Sequence, residues 1–151
     1  MKIGVISDTH GLLRAEALAA LQGVEHILHA GDVGDAAILD ALRTIAPVTA
    51  IRGNVDTHGA CALLPATEMV SLGGVSFYLV HSVHDLDVNA EAAGIACVVS
   101  GHSHQPLIEE RRGVMYLNPG SAGPRRFSLP VSLAYVTIEG GAMRAELREL
   151  L

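Results

Sequence analysis

The chain begins with an apolar run that stops abruptly at a polar segment. Residues 3–6 are Ile-Gly-Val-Ile, and the polar residues from Ser7 to Gly11 follow at once. The apolar run predicts a buried strand, and side chains two residues apart on an extended chain point the same way. Asp8 and His10 would therefore leave the strand end together, and both can bind a metal ion. Because ligands of open sheets bind beyond the carboxyl ends of strands, the pattern predicts a site at this edge.

Two further strands of the first third end in the same way. Apolar residues at helical spacing predict a helix after each of the first two strands, and Asp35 is placed to cap the second helix. A predicted strand over residues 26–30 runs into Asp32, and one over residues 48–51 runs towards Asn54. Strands joined by helical crossovers are parallel, so these polar residues should converge at one edge of the sheet.

The second half of the chain changes to hairpins. Gly73-Gly74 separates two apolar runs and predicts a two-residue turn, and Gly140-Gly141 predicts another. His81 follows the first hairpin directly. The predicted segments are strands over 68–72, 75–80, 97–100 and 114–117, a short helix over 87–93, a turn over 111–113 and a closing hairpin of 131–138 and 143–147.

The number of predicted strands indicates the fold class. So many strands in 151 residues are accommodated by two sheets packed face to face, one mostly parallel and one mixed, with helices outside. The fold class is α/β with mixed α+β character. The length suits one domain over residues 1–151.

The composition narrows the possible functions. A net charge of −6 and a pI near 5.7 argue against an electrostatic grip on a nucleic-acid backbone, which needs clustered Lys and Arg. No run of eighteen apolar residues is present, so no membrane segment is expected. The two cysteines lack CxxC spacing and indicate reduced thiols, so we expect a soluble, cytoplasmic protein.

Side chains that bind metal ions stand at the predicted strand ends, namely Asp8, His10, Asp32, Asn54, His81, His102 and His104. The spacing of His102 and His104 would present both imidazoles on one side of an extended segment. A set without thiolate suits manganese, iron, zinc or nickel, and we expect manganese. Seven ligands fit two ions that share one carboxylate. Such a pair can hold a hydroxide and clamp a phosphoryl group, which predicts phosphoester hydrolysis.

Five segments, taken in order, resemble the metal motifs of the calcineurin-like metallophosphoesterases: Asp8-Thr9-His10, Gly31-Asp32, Gly53-Asn54-Val55-Asp56, His81 and Gly101-His102-Ser103-His104. The small size and Asn118-Pro119-Gly120-Ser121 are most similar to the small prokaryotic phosphodiesterase branch. The resemblance implies a four-layer double β-sandwich flanked by helices. It also implies two ion sites that share Asp32. The first adds Asp8, His10 and His104, and the second adds Asn54, His81 and His102.

The resemblance places Asp32, Asn54 and His81 at the catalytic centre, and one position departs from the family. Many members carry a histidine where this chain has Val55, and that imidazole is thought to protonate the leaving group or hold the phosphate. Val55 does neither. We therefore expect slow hydrolysis, or hydrolysis of esters with good leaving groups, unless His84 or His58 substitutes.

Several other polar residues have two interpretations. Asp56 either orients His10 or another ligand imidazole, or is a plain turn carboxylate. Arg52, Arg125 and Arg126 either steer the phosphate or are solvated. His26 and His29 lie on a predicted inner strand and are interpreted as packed or hydrogen-bonded core residues.

Three functions compete at this point. The first is a phosphodiesterase that uses two divalent ions on a small phosphodiester substrate. The second is a binding scaffold, because the retromer scaffold subunit resembles this branch and uses its surface for partners. The third is a nuclease, which the acidic balance disfavours. We expect neither nucleic acid nor a membrane as a partner, and a homo-oligomer stays open.

Overall fold

Ten strands and two short α-helices make up a computed structural model that describes residues 1–151. The strands are β1 Lys2–Ile6, β2 His26–His29, β3 Val48–Ala50, β4 Thr67–Leu72, β5 Val75–Val80, β6 Cys97–Val99, β7 Leu107–Arg111, β8 Val114–Asn118, β9 Ser132–Glu139 and β10 Ala142–Glu149. The α-helices are α1 Ala15–Ala20 and α2 Ala36–Arg43, and 3₁₀ helices span Ala60–Leu63 and Val83–Asp85. Neither α-helix, at six and eight residues, has the length or apolarity needed to cross a membrane.

The strands form two five-stranded sheets, which confirms the predicted α/β fold class. The first sheet has the order β10-β9-β1-β2-β3 and the second has the order β4-β5-β6-β8-β7. The predicted parallel pairing of β1, β2 and β3 is confirmed. The first sheet is nevertheless mixed rather than mostly parallel, because β9 pairs antiparallel with both β1 and β10.

The hydrophobic core fills the space between the two sheets and the space under the helices. Ile3 and Val5 of β1 meet Phe77 and Leu79 of β5 in a buried cluster drawn from both sheets. Ile6 packs instead with residues of α1 and α2 in a second cluster. This division follows from strand geometry, since successive side chains of a strand face opposite sides. Both α-helices therefore lie on the face of the first sheet that points away from the second.

The outer face of the second sheet is covered by a turn segment. The predicted helix over 87–93 is wrong, because the chain there makes only a single turn. The Asn89 side chain accepts a hydrogen bond from the Ala92 N–H, the Ala93 N–H bonds back to the Asn89 carbonyl, and Gly94 has a φ of 74°. A competing side-chain acceptor of this kind favours turns over helices. Ala90 and Ile95 still reach the small cluster on this face.

Two other local sequence signals, the helix cap at Asp35 and the paired glycines, predicted the structure correctly. The Asp35 side chain accepts a hydrogen bond from the Ala37 N–H at 2.9 Å, so the predicted cap of α2 is confirmed. Both glycines of Gly73-Gly74 and of Gly140-Gly141 have positive φ, as two-residue hairpin turns require. The edge strand β7 was not predicted, because most of its residues are exposed and no buried face marks it.

His29 is a buried core residue, as interpreted from the sequence. Its Nδ1 accepts a hydrogen bond from the Gly31 N–H, so the proton lies on Nε2, which donates to the Thr9 hydroxyl at 3.1 Å. Thr9 in turn donates to the Val33 carbonyl. Desolvation lowers the pKa of His29 to about 4. The neutral imidazole therefore ties the loop after β1 to the loop after β2.

We predict that His29 makes the metal-free protein sensitive to acid. Between pH 6.5 and 4 the unfolded chain protonates this histidine and the folded chain does not, so stability falls as the pH falls, by up to about 3 kcal/mol. His29→Asn keeps an acceptor for the Gly31 N–H but has no titrating group. Its unfolding free energy, measured by chemical denaturation, should fall less steeply over this range than that of the wild type. Equal slopes would contradict the assignment.

Candidate metal centre

The loops that follow the parallel strands of both sheets lie in a common region. Asp8 and His10 follow β1, Asp32 follows β2 and Asn54 follows β3 in the first sheet. His81 follows β5, and His102 and His104 follow β6 in the second. All seven residues thus lie beyond carboxyl ends of parallel strands, the edge at which α/β proteins bind ligands.

Six of these residues form two groups whose ligand atoms lie within 4.8 Å of one another. The first group is Asp8, His10 and His104. The Oδ1 atom of Asp8 lies 3.6 Å from His10 Nε2 and 3.4 Å from His104 Nε2. Ligands that share one ion through bonds of about 2 Å stand roughly 3 to 3.5 Å apart, so these separations fit an ion between them.

The second group is Asp32, His81 and His102. Asp32 Oδ2 lies 3.2 Å from His81 Nε2, and the rings of His81 and His102 are edge to face with centroids 5.2 Å apart. The same Asp32 oxygen lies 3.4 Å from His10 Nε2 of the first group. One carboxylate oxygen therefore stands between the two groups, which is the position of a bridging ligand.

Neighbouring hydrogen bonds orient three of the ligands, Asp8, Asp32 and His81, towards the centre. Asp8 Oδ2 accepts from the Ser7 hydroxyl and from the His102 N–H, which leaves Oδ1 for the site. Asp32 Oδ1 accepts from the Val55 N–H, which leaves Oδ2. The 2.7 Å contact of His81 Nδ1 with the Ala30 carbonyl requires a proton on Nδ1 and leaves Nε2 as an acceptor. Outer hydrogen bonds of this kind orient ligands in metal sites.

The buried ligand atoms have no hydrogen-bond partner within the protein. These atoms are Asp8 Oδ1, His10 Nε2, His81 Nε2, and both ring nitrogens of His104. No other buried side-chain nitrogen or oxygen of the chain is left in this state. Burying an unpaired polar group costs about 1–3 kcal/mol, so the clustering of all such atoms here needs a compensating ligand. The donor set and its spacing fit divalent cations.

The backbone at the ligands is unusual. Asp8, His10, Asp32, His102 and His104 all have φ between 45° and 70°. Residues other than glycine adopt this left-handed conformation at a cost, and such residues cluster at functional sites.

This conformation corrects two steps of the sequence reasoning. Asp8 and His10 do converge, but β1 has already ended at Ile6, so strand alternation is not the cause. His102 and His104 do not share a side of an extended segment. They enter different groups instead, because each has a left-handed backbone.

Glycines in the motifs allow the loops to approach the carboxylates. A Cβ atom at Gly53 would overlap Asp32 Oδ1, and one at Gly101 would overlap the Ser7 hydroxyl and Asp8 Oδ2. The loop after β3 and the loop after β6 could not pack this closely with any larger residue. The glycines therefore set the distance between the ligand-bearing loops.

The carboxylates and imidazoles stabilise each other's charged forms. Burial alone would raise the pKa of Asp8, but contacts from His10 and His104 outweigh it and lower the pKa. Burial is likewise outweighed at Asp32, whose pKa is lowered by His81. Asp8 raises the pKa of His10, and Asp32 raises the pKa of His81 against desolvation. Cations that bind here therefore compete with protons.

Asn54 lies beside the second group rather than inside its buried part. It is exposed, and it lines one cavity with His81 and Arg52. The neighbouring Val55 N–H donates to Asp32 Oδ1, so the Asn54 loop is anchored at the Asp32 carboxylate. Arg52 donates to the Leu64 carbonyl. That contact turns the guanidinium to the backbone of its own loop.

Asp56 does not orient a ligand imidazole, so that interpretation is wrong. Its carboxylate is buried and accepts hydrogen bonds from the N–H groups of Val33, Gly34 and Gly53. Because Val33 and Gly34 follow Asp32 and Gly53 precedes Asn54, Asp56 ties two ligand loops together. The alternative interpretation of Asp56 as a turn carboxylate agrees better with the structure, since all of the hydrogen-bond partners of Asp56 are backbone groups.

The remaining candidate residues lie around the rim. Exposed His84 lines a cavity with His102. His58 contacts the hydroxyl of its neighbour Thr57. Arg125 and Arg126 line a different cavity with His10 and His104, although Arg125 also donates to the Leu129 carbonyl.

Two residues that support the site were not predicted to do so. Asn118 donates to the Gly101 carbonyl, and the Ser121 hydroxyl donates to the Asp8 carbonyl, so both hold loops that carry ligands. The sequence analysis used their segment only for its family likeness. Asn118 ends β8 and Ser121 follows it, and since β8 runs parallel to β6, this position is the signal that could have identified them.

Known proteins resemble this chain in sequence and in fold. Residues 1–141 match the calcineurin-like phosphoesterase superfamily domain. A probable metallophosphoesterase from Methanothermobacter thermautotrophicus is 35% identical, over 97% of this chain and 91% of that protein. The structure of an archaeal phosphodiesterase gives a TM-score of 0.81 at 23% identity, over 98% of this chain and 100% of that one.

Vps29 from Chaetomium thermophilum gives a TM-score of 0.79 at 19% identity, over 99% of this chain and 95% of that one. At these identities the two solved structures show the fold alone. The sequence match extends over most of the chain, and the archaeal relative is similar over nearly its whole length. The resemblance found in the motifs is thereby confirmed, and the chain belongs to the calcineurin-like phosphoesterase superfamily.

Proposed function

We propose that this protein is a metal-dependent phosphodiesterase whose centre holds two divalent ions. Asp8, His10 and His104 hold the first ion, and Asn54, His81 and His102 hold the second. Asp32 bridges the two. Its substrate is a small phosphodiester.

The observation that carries this proposal is the set of buried, unpartnered ligand atoms around Asp32. They fall into two groups, and one oxygen of Asp32 lies 3.4 Å from the first group and 3.2 Å from the second. Two ions that share this oxygen would bind Asp8 Oδ1, His10 Nε2, His81 Nε2 and one ring nitrogen of His104. A single ion would leave part of the set buried and unpaired.

The donor types support a transition metal. Imidazoles outnumber carboxylates and there is no thiolate, so the site is poor for magnesium and unlike a structural zinc site. We propose manganese, with iron, zinc and nickel as alternatives of the same donor preference. Metal analysis of the purified protein would discriminate among them.

The chemistry follows from what the chain positions at this centre. A bound pair of divalent ions supplies Lewis acidity to a phosphoryl group and activates water. Asp8 and Asp32 fix the ligand geometry through their second oxygens, which the protein itself hydrogen-bonds. Val55 stands at the position where many family members have histidine, and its 42% exposed side chain offers no proton. The leaving group would therefore depart largely unprotonated unless His84 or His58 supplies the proton.

A scaffold function is the second candidate, because Vps29 shares this fold. A scaffold has no need of buried, unpartnered ligand atoms, and their cost would select against them. The intact ligand groups favour the enzyme.

We predict that ligand substitutions remove ions and activity together. The manganese-loaded wild type should hydrolyse bis(p-nitrophenyl) phosphate and hold two ions per chain. His102→Ala should lower kcat/KM by about 100-fold or more, since even outer residues of metal sites cost about 10–100-fold, and should hold one ion fewer. His26→Ala is the matched control, because His26 bonds to Thr49 away from the site. Equal rates and equal metal content in all three proteins would refute the enzyme.

We also predict that Val55 limits the range of leaving groups. In a series of diesters, the wild-type rate should fall steeply as the pKa of the leaving alcohol rises. Val55→His should flatten this dependence and raise the rate for alkyl leaving groups by about 100-fold, because general acid catalysis contributes about 10²–10⁴-fold. Val55→Gln, which is polar but does not titrate, should behave like the wild type. If the two variants give the same dependence, proton donation at this position is not what the wild type lacks.

A further inference from the structure

A cavity of about 190 Å³ lies beside the second ligand group. The segment Gly101–Ser103 forms one wall and the 3₁₀ helix at Val83 forms another. The edge hairpin of β7 and β8 closes it with Leu107 and Tyr116. His102 belongs both to this lining and to the second ligand group, so the cavity opens next to the candidate metal centre.

The polar groups at the base of this cavity are already paired. The Asn118 amide donates to the Gly101 carbonyl and to the Ser103 hydroxyl, and its own oxygen accepts from the Gly120 N–H. His84 and Gln105 also line the cavity, but apolar atoms make up most of its exposed surface. The side chains of Val83, Leu107 and Tyr116 contribute to this surface and favour an apolar ligand.

Tyr116 is held in place by a charged pair. The Arg111 guanidinium lies 4.8 Å from the centre of the Tyr116 ring and makes two hydrogen bonds, of 2.9 and 3.1 Å, to the Glu109 carboxylate. The pairing neutralises Arg111 while its planar group covers the aromatic ring. The positive charge beside the Tyr116 ring is therefore paired with the Glu109 carboxylate.

On the other side of the candidate metal centre, the cavity is lined by positively charged side chains. There Arg125 and Arg126 line the cavity that includes His10 and His104. An anionic group of a substrate would be attracted to that side. In the cavity beside His102 the only arginine is Arg111, which is paired with Glu109, so this cavity suits an uncharged group.

We propose that the cavity beside His102 binds one ester arm of the substrate, and that this arm is an uncharged ring of single-ring size. The proposal rests on the proposed function, because the metal pair must anchor the phosphoryl group. The size follows from the volume, since an apolar cavity of about 150 Å³ in another protein accommodates benzene. The protein is thus selective for phosphodiesters that carry a small flat ring.

Phosphonates test this inference by binding rather than by turnover. Methylphosphonate and phenylphosphonate present the same anionic head to the metal pair and differ only in the arm. Calorimetric titration of the manganese-loaded full chain should show that phenylphosphonate binds at least about tenfold more tightly, because the ring buries apolar area in the cavity.

Two neighbouring residues of β7 provide a matched pair of variants. Leu107 lines the cavity, whereas Ile108 does not, and their side chains are 42% and 38% exposed. Leu107→Trp fills the space and should reduce the preference for phenylphosphonate to about onefold. Ile108→Trp should retain it. Tyr116→Ala removes a wall and should also abolish the preference, which decides the question if Leu107→Trp does not fold.

The outcomes separate the two proposals. If the wild type binds neither phosphonate, the proposed metal function fails and this inference fails with it. If it binds both equally, the function stands and the ring site is overturned. The ring site is also overturned if Leu107→Trp and Tyr116→Ala keep the wild-type preference. Loss of the preference in these two variants and its retention in Ile108→Trp would support it.

Discussion

The structure depends on two carboxylates and several imidazoles being held together, away from water, with their ligand atoms unpaired. Asp8 is fully buried, and His81 and His104 are nearly so. Burying charged and polar groups without partners costs free energy. The chain offsets part of the cost by hydrogen-bonding the second oxygen of each aspartate and one nitrogen of His81. Asp8 Oδ1 and the Nε2 atoms of His10, His81 and His104 remain unpaired at one centre, which supports the proposal that divalent ions bind there.

The two-sheet architecture makes this concentration of polar groups possible. Each sheet contains parallel strands, and the face-to-face packing brings their carboxyl ends to the same region. Loops from β1, β2 and β3 then meet loops from β5 and β6. Close contact requires glycine at Gly53 and Gly101, and left-handed backbone at five of the ligands. His29 and Asp56 connect the loops from beneath, so the positions of the ligands are set by the protein before any ion binds.

The strands and the motifs that carry the ligands could largely be predicted from the sequence, because they depend on local patterns. Apolar runs that end in polar residues located β1, β2 and β5, and the order of the short motifs indicated the family. The division of the ligands into groups was not readable, because it depends on the left-handed backbone at His102 and His104. The role of Asp56 was missed for a similar reason. Its partners are backbone N–H groups of distant loops, and no sequence pattern reports those contacts.

The departures from a simple strand pattern coincide with the functional residues. A strand that continued through Asp8 and His10 would place them on one face, whereas both residues have left-handed backbone beyond the end of β1 and contribute to one ligand group. Proteins commonly retain backbone strain where function requires it. Val55 also lies at the site, where its N–H donates to Asp32 and its exposed side chain has no proton to transfer.

The central claim is that one oxygen of Asp32 lies between two ions, and anomalous diffraction from crystals grown with manganese tests it most directly. The account predicts two anomalous peaks about 3.5–4 Å apart, one beside His10 and His104 and the other beside His81 and His102. A single peak, or two peaks of which neither lies within bonding distance of Asp32, would contradict it.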